Sequence, residues 1–383
     1  MKPDFHSALF IDPSQIKILH NSVDTPGLLI SDSRLQSNIQ SMQYLAQISK
    51  CRMRPHIKTH KSAEIALRQL KAGAIGITTA KLSEAEIFAE QGIADIFIAN
   101  QITHRAKIKR LYDLHQNNRL IIGIDHTEQI KILADVFQDT QHPLEVRIEV
   151  DSGLNRCGIQ NLNQLITLAR EIKKFRWLKL EGIFTHAGQA YGGSNPKEIR
   201  NIGLHEGNLM VYYAKALAEH GIDIDSVSVG STPTVPHSAS INGINEIRPG
   251  NYVFHDAIQV ALQTVRPDRC SLLVMATVIS KTLSNRIIVD AGSKALNLDK
   301  GAHSKQLLPG YGIPLNLKGT ISALSEEHGM IDTNEPAIIE IGDPVIILPN
   351  HACAVVNLYD TYHWLDKDNK IHSTPITARG KSQ

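Results

Sequence analysis

Residues 54–61 read RPHIKTHK, a segment that places five basic or imidazole side chains within eight residues. It follows the first apolar run after an opening pattern of one strand and one helix. Lys58 lies in its middle, between Arg54 and Lys61, and nearby positive charges should lower the pKa of a lysine. A lysine with a lowered pKa can act as a nucleophilic amine towards a carbonyl group. A solvated basic turn is the alternative interpretation of these residues alone.

Composition limits the class of protein. The chain has 383 residues, enough for a large barrel and a second domain, because single cores rarely grow beyond about 250–300 residues. It has 40 Lys and Arg against 38 Asp and Glu, so no nucleic-acid or membrane partner is expected. No apolar run is long enough to span a bilayer, and residues 1–15 lack the pattern of a signal peptide. Four scattered cysteines form no disulfide framework, so we expect a cytoplasmic enzyme.

Short apolar runs alternate with helical segments between residues 25 and 258. The predicted strands lie at 26–30, in the run before the lysine segment, and at 74–78, 95–99, 120–124, 144–150, 179–184 and 226–229. Eight strands that alternate with helices predict a (β/α)8 barrel of the TIM type. An open doubly wound sheet is the alternative, but such a sheet normally carries a glycine-rich phosphate loop after its first strand, and none is found there.

The pattern changes after residue 258. Strands predicted at 286–290, 337–340 and 343–349 are separated by turns without an obvious helix. We therefore expect residues 259–376, together with the irregular residues 1–24, to form a β-rich second domain. Residues 377–383 are expected to be a disordered tail.

Polar segments follow the last three predicted barrel strands, at the end of the barrel where such folds hold their functional residues. The sixth strand leads into DSGLNRCG at 151–158, where an ion pair of Asp151 with Arg156 is one interpretation. The seventh strand leads into THAGQAY at 185–191.

The eighth predicted strand leads into GSTPT at 230–234, and RPGNY follows at 248–252. Small and hydroxylic residues with free backbone N–H groups suit a phosphate. A Gly-Ser-Thr-Pro string alone is more often an ordinary turn, but barrels commonly hold phosphates after their last strands. We therefore assign a phosphate to Ser231, Thr232, Gly250 and Asn251.

A further cluster, PNHACAVVNLYD, occupies residues 349–360. His351 and Cys353 are two residues apart, so on an extended segment their side chains would point to the same face. An imidazole and a thiolate together suit Zn²⁺. A His-x-Cys pair without further context usually binds no metal.

Taken in order, these motifs resemble those of the D-serine dehydratase and D-threonine aldolase family of fold-type III pyridoxal-phosphate (PLP) enzymes, whose barrel is of the alanine racemase N-terminal type. The resemblance covers about residues 25–360 and includes DAGSKAL at 290–296 and LSEEHG at 324–329. It implies that Lys58 holds PLP as a Schiff base and that Arg156 lies near the phenolic oxygen of the cofactor. The full set of implied PLP-binding residues is Lys58, Arg156, Gln189, Tyr191, Ser231, Thr232, Gly250, Asn251 and Tyr252.

The same resemblance implies that His351 and Cys353 in the second domain bind Zn²⁺ (or Mn²⁺), with water and substrate oxygens as further ligands. Four other polar residues of the matching region receive no role from the sequence: His186, His255, Lys294 and His328.

The implied reaction is β-elimination from a D-3-hydroxy amino acid such as D-serine, to give a 2-keto acid and ammonia. PLP would supply the electron sink, and the metal would act as a Lewis acid on the hydroxyl group. Retro-aldol cleavage to glycine and an aldehyde, as in D-threonine aldolase, is the nearest alternative. Cys353 favours the dehydratase, because the aldolases tend to have a carboxylate there. An amino-acid racemase and a PLP-binding protein without activity are less favoured, and the expected assembly is a homodimer.

Overall fold

The computed structural model describes residues 4–301, 306–333, 339–366 and 370–383. Within these ranges the chain forms one eight-stranded parallel sheet and one nine-stranded mixed sheet. The predicted barrel with a β-rich second domain is therefore confirmed. The strand predicted at 337–340 lies partly outside the described residues.

The strands are β1 (Gly27–Ser31), β2 (Arg52–Met53), β3 (Ile77–Thr79), β4 (Asp95–Ile98), β5 (Arg119–Ile124), β6 (Leu144–Val150), β7 (Leu178–Thr185), β8 (Ser226–Val229), β9 (Glu246–Ile247), β10 (Leu272–Leu283), β11 (Arg286–Val289), β12 (Ile313–Pro314), β13 (Thr320–Leu324), β14 (Gly329–Asp332), β15 (Pro344–Leu348), β16 (Thr361–Leu365) and β17 (Ile371–Pro375).

The helices are α1 (Ile16–His20), α2 (Asp32–Ile48), α3 (Ala63–Lys71), α4 (Leu82–Glu90), α5 (Arg105–His115), α6 (Thr127–Phe137), α7 (Leu162–Ile172), α8 (Pro196–Glu219), α9 (Val235–Ser238), α10 (Ala257–Ala261), α11 (Ser293–Leu296) and α12 (Ala352–Val356). None of the helices that the structure describes is both long and apolar enough to cross a membrane.

Local sequence explains where the helices around the barrel begin. The hydroxyl group of Ser62 accepts a hydrogen bond from the N–H of Ile65 at the start of α3. The side chain of Asn195 likewise accepts from Glu198 at the start of α8, whose first residue is a proline. Such caps satisfy N–H groups that have no partner inside the helix.

The barrel strands follow the order β2-β9-β8-β7-β6-β5-β4-β3, and a bridge between His56 and Thr78 joins the two ends of the sheet. The prediction that β1 is the first barrel strand is wrong, because β1 pairs with β10 and β16 in the mixed sheet. The missing barrel strand is the two-residue β9. Because β1 is buried along its whole length, it is as apolar as a barrel strand and was predicted to be one. The strand β9 has too few residues to show any periodicity, so it was not predicted.

A buried ion network fills the barrel between β2, β6, β7 and β9. Arg147 on β6 is fully buried and donates to both Glu181 and Glu246. Arg54, which the sequence analysis placed beside Lys58, donates instead to Glu246 at 3.0 Å and to Asp95. Burial acts to raise the pKa of Glu246, but Arg147 and Arg54 hold it below its ordinary value. These charges link strands from opposite sides of the barrel.

The two ends of the chain pack against other parts of the fold. Residues Ile16, Leu19 and Val23 belong to a buried cluster with residues of β10 and β15. The last residues differ from the expected disordered tail, because the Ala378 N–H donates to the carbonyl of Lys61 at 2.9 Å and Ala378 is fully buried. These backbone contacts, which composition does not predict, order the segment.

Candidate active site

The segment around Lys58 connects β2 to α3 at the carboxyl end of the barrel. His56 holds it in place: its N–H donates to the carbonyl of Pro249 after β9 at 3.0 Å, and its Nδ1 accepts from the N–H of Lys58 at 3.4 Å. A short 3-10 turn, Ile57–Thr59, follows. Lys58 therefore lies on a short, hydrogen-bonded turn where two barrel strands meet.

Lys58 lies in the wall of a cavity of about 830 Å³ between the barrel and the second domain. The wall also contains most of the residues that the sequence analysis selected: Arg156, Tyr191, Ser231, Thr232, Gly250, Asn251, His351 and Cys353. Segments that are far apart in the chain thus meet at one site.

The pKa of Lys58 is lowered, as predicted, but not by the neighbours that the prediction named. Burial is the main cause, and the positive charges of Arg156 and Arg248 add to it, against the opposing effect of Cys353. Lys61 is paired with Glu84 at 2.9 Å. The environment of the cavity therefore favours the neutral amine of Lys58.

The predicted phosphate residues form a cradle of buried polar atoms. The hydroxyl oxygens of Ser231 and Thr232 and the amide oxygen of Asn251 are buried, and the phenol of Tyr191 is the protein group near the two hydroxyls. A Cβ atom at Gly250 would lie 3.0 Å from the carbonyl oxygen of His56. The close backbone and the two buried hydroxyl groups fit a phosphate group. The side chain of Asn251 donates to Asp256, and its remaining amide oxygen can only accept.

A buried carboxylate that the sequence analysis missed supports this cradle. Glu206 on α8 accepts hydrogen bonds from the N–H of Gly230 at 3.3 Å and from the hydroxyl group of Thr234 at 2.8 Å. Its pKa is raised by burial. Nothing in its helical context marks Glu206 as different from an ordinary exposed glutamate.

Two further groups line the cavity, the half-buried His186 and the buried Arg248. Arg248 donates to the carbonyl of Thr185 at 2.6 Å and to the hydroxyl group of Ser228. His186 donates through Nδ1 to the carbonyl of Gly230 at 2.6 Å, and burial together with Lys58 holds its pKa well below the ordinary value. His186 is therefore neutral, with Nε2 left as an acceptor.

Arg156 enters the cavity from the loop after β6. It is half exposed and lies 3.7 Å from the carboxylate of Glu149. The alternative pair with Asp151 is not formed, because Asp151 accepts instead from the N–H groups of Gly153, Leu154 and Asn155. Arg156 therefore presents its charge to the cavity beside the Glu149 carboxylate.

Two of the implied PLP residues, Gln189 and Tyr252, do not line the cavity. The amide of Gln189 donates to the carbonyl of Ser152 at 2.8 Å, which joins two loops of the site. The hydroxyl group of Tyr252 accepts from Gln69 at 2.8 Å inside the core. Both residues support the walls of the cavity from behind, whereas Tyr191 lies in the wall itself.

His351 and Cys353 form the other end of the cavity. The prediction of an extended segment is wrong: His351 is the N-cap of α12, and Cys353 lies in its first turn. The side-chain oxygen of Thr59 is 3.1 Å from the sulfur of Cys353, so the lysine segment contacts this pair directly.

Asp299, which the sequence analysis missed, orients the imidazole of His351. The Nδ1 of His351 lies 2.7 Å from the Asp299 carboxylate, which leaves Nε2 for another partner. Burial would lower the pKa of His351, but Cys353 and Asp299 raise it well above its ordinary value. Burial likewise opposes ionisation of Cys353, yet His351 lowers the pKa of the thiol. A thiolate and a carboxylate-bound imidazole fit a zinc ion.

The remaining residues without a role lie outside the cavity wall. Lys294 pairs with Glu327 at 2.6 Å on the surface, and His328 is exposed nearby. His255 has a left-handed backbone (φ 50°), and burial lowers its pKa to about 3.

A group formed by Asp125, Glu149 and Cys157 has metal-ligand atoms close together, but Gly158, Gln129 and Gln101 already donate to its two carboxylates.

Residues 30–257 match the family model of the alanine racemase N-terminal domain, and residues 271–365 match a serine dehydratase domain. The chain belongs to this family of alanine racemase-type barrels. It is 32% identical to the D-serine dehydratase of Dictyostelium discoideum over 379 residues, which cover 92% of this chain and 95% of that protein. The predicted family is therefore confirmed.

Solved structures show the same two-domain architecture. The D-threonine aldolase of Filomicrobium marinum superposes with a TM-score of 0.87 at 27% identity, over 94% of this chain and 97% of that chain. The D-threo-3-hydroxyaspartate dehydratase of Delftia sp. HT23 gives a TM-score of 0.87 at 30% identity, over 93% and 98%. A Cys-to-Ala variant of a D-threo-3-hydroxyaspartate dehydratase was solved in a metal-free form.

Proposed function

We propose that this chain is a PLP- and metal-dependent lyase that eliminates water from D-3-hydroxy amino acids. The observation that carries the proposal is that one cavity contains the amine of Lys58, the phosphate cradle and the His351–Cys353 pair. The dehydratases among its relatives support the same reaction type. PLP supplies an electron sink for the electrons released at Cα, when it is bound.

The described residues can hold PLP at both ends. Ser231 and Thr232 offer buried hydroxyl groups to the phosphate, and Gly250 lets the backbone of residues 250–251 approach it. The cation of Arg156 is suited to the phenolic oxygen, because a fixed positive charge keeps such an oxygen ionised.

Lys58 has two roles in this proposal. Its amine carries the cofactor, and after substrate has bound it removes the proton from Cα. A lowered pKa suits both roles, because a larger fraction of the amine is neutral near pH 7.

His351 and Cys353 are proposed to bind Zn²⁺ through Nε2 and the thiolate, with Asp299 fixing the imidazole. Mn²⁺ is the less favoured ion, because a thiolate is a soft ligand. A zinc ion at this position supplies Lewis acidity for the departure of hydroxide, which is a poor leaving group by itself.

Retro-aldol cleavage of the D-threonine aldolase kind remains the second candidate, and the structural similarity to such an aldolase favours it. The two reactions are distinguished by incubating the purified protein with D-serine, D-threonine and D-3-hydroxyaspartate, with and without a chelator. We expect a 2-keto acid and ammonia as products. Glycine as the main product would show that the chain is an aldolase. Conversion of the D-amino acid to its L-enantiomer, with no keto acid or glycine, would show a racemase.

We also propose a homodimer in the cytoplasm. All four cysteines are unpaired, which fits a reducing compartment. Light scattering after size-exclusion chromatography measures the assembly, and a monomer of 42.3 kDa would contradict this part of the proposal.

A further inference from the structure

One more cation, Lys300, lies in the wall of the cavity without a partner in the reaction described above. Its ammonium group is 4.2 Å from the centre of the Tyr311 ring. The ion pairs of the described residues do not include Lys300. Each of the other cations in the cavity wall has a proposed role or a partner. Lys58 carries the cofactor, Arg156 faces Glu149, and Arg248 donates to two neighbouring oxygens.

Asn350 fixes Lys300 and Tyr311 beside the proposed metal ligands. Its side-chain amide donates to the carbonyl of Asp299 at 2.9 Å and to the carbonyl of Gly310 at 2.8 Å. These carbonyls belong to the residues immediately before Lys300 and Tyr311, and His351 follows Asn350 in the chain. One buried amide thus ties both loops to the start of α12.

The loop that carries Lys300 has further supports. Asp299, the preceding residue, accepts from His351. The carbonyl of Lys300 itself accepts from the N–H groups of Leu307 and Leu308, each at 2.9 Å. The backbone that carries Lys300 is therefore held beside His351, and the aromatic face of Tyr311 contacts the ammonium group.

The position of Lys300 bears on which substrate the cavity binds, an inference that rests on the proposed function. If the metal receives the β-hydroxyl group, any other substituent on Cβ must lie at the same end of the cavity. We infer that Lys300, steadied by Tyr311, binds a carboxylate on Cβ. The preferred substrate is then a D-3-hydroxyaspartate rather than D-serine or D-threonine, whose Cβ carries only hydrogen or a methyl group.

The reaction of this substrate balances without another reagent. The proton on Cα and the hydroxide on Cβ leave as water, and the remaining enamine takes up one water to give oxaloacetate and ammonia. Both carboxylates persist, so the contact with Lys300 is available from binding to product release.

The test uses the PLP- and zinc-loaded protein and its Lys300→Met variant, which keeps the length of the side chain but removes its charge. We expect kcat/KM for D-3-hydroxyaspartate to fall about ten- to a hundredfold, mainly through KM, since a hydrogen bond to a charged group is lost. The value for D-serine should change little. Lys300→Arg should retain most of the activity on D-3-hydroxyaspartate. Lys294→Met, which removes an exposed lysine outside the cavity, is the matched control.

A binding experiment separates this inference from the proposed reaction. D-Aspartate and D-alanine lack the hydroxyl group, so neither can lose water, and their binding is followed by the absorption spectrum of the cofactor. The unmodified protein should bind D-aspartate more tightly than D-alanine, and Lys300→Met should abolish the difference. An equal loss on all substrates would assign Lys300 to the α-carboxylate, and a preference of the unmodified protein for D-serine would also overturn the inference. Absence of any lyase activity together with selective D-aspartate binding would instead overturn the proposed function alone.

Discussion

The carboxylate of Asp256 accepts a hydrogen bond from the backbone N–H of Ala352 at 2.9 Å. The same oxygen accepts from the side chain of Asn251 at 2.6 Å. Ala352 lies between His351 and Cys353, and Asn251 belongs to the phosphate cradle. One fully buried carboxylate therefore connects the proposed cofactor end of the cavity with its proposed metal end.

Replacing this carboxylate should weaken both ends of the site. Asp256→Ala leaves the N–H of Ala352 and the amide of Asn251 without an acceptor, at a cost of about 1–3 kcal/mol for each unsatisfied group. We expect lower affinities for PLP and for Zn²⁺, measured by fluorescence titration and by metal analysis after dialysis. Asp223→Ala, an exposed aspartate, is the control. A change in only one of the two affinities would contradict the coupling.

Lys58 should be the attachment site of PLP. The purified protein should be yellow, and treatment with borohydride should fix the cofactor to the peptide that contains Lys58. Lys58→Arg keeps a positive charge but cannot carry PLP, so this variant should be inactive and lose the visible absorption band. Peptide mass spectrometry checks the site, and a label on a different lysine would refute the assignment.

Thr232→Val should lower PLP affinity while leaving the fold intact. The substitution nearly preserves shape but removes one hydroxyl group from the cradle, and a hydrogen bond to a charged group contributes about 1.5–3 kcal/mol. The dissociation constant should rise by about ten- to a hundredfold. Thr167→Val on the exposed face of α7 controls for the general effect of the exchange. Unchanged affinity would mean that the phosphate binds elsewhere.

Removal of the metal should separate proton transfer from elimination. Lys58 needs no metal to take the α-proton, whereas departure of hydroxide needs a Lewis acid. Chelated enzyme should therefore exchange the α-hydrogen of D-serine in deuterated water, seen by NMR, while forming no pyruvate. Added Zn²⁺ should restore pyruvate formation. Full activity of metal-free enzyme would rule out the role of His351 and Cys353.

The stability of the barrel should depend on pH through Glu246. Its pKa is lower in the folded protein than the roughly 4.3 of an unperturbed glutamate, so the stabilisation is present above about pH 4 and is lost as pH falls through the folded value. Glu246→Gln leaves Arg147 and Arg54 incompletely paired, which costs about 3–5 kcal/mol. Urea unfolding should show this difference at pH 7 and a smaller one at pH 3. A difference that does not vary with pH would argue against an ionised Glu246.

Most of the residues that were selected from the sequence do lie in the cavity wall. Short segments of unusual local composition drew attention to them, and the resemblance to a family of PLP enzymes gave them their roles. Lys58 lies in a basic segment, Ser231 and Thr232 in a small polar one, and His351 and Cys353 in a pair with metal-binding chemistry. The alternation of strands and helices likewise predicted the barrel and the change to a β-rich domain. These features depend on neighbouring residues, and periodicity and composition report such features directly.

The tertiary structure decided the features that depend on residues far apart in the chain. In the structure β1 belongs to the second sheet and not to the barrel. An apolar strand can be buried in either sheet, and only residues far away in the chain determine with which strands it pairs. The tertiary structure also placed Gln189 and Tyr252 behind the cavity and Lys300 in its wall. Asp256 and Asp299 acquired their roles only from partners in another segment. The sequence does not show whether a carboxylate is surrounded by water or contacts a buried imidazole. That depends on which distant residues the fold brings next to it.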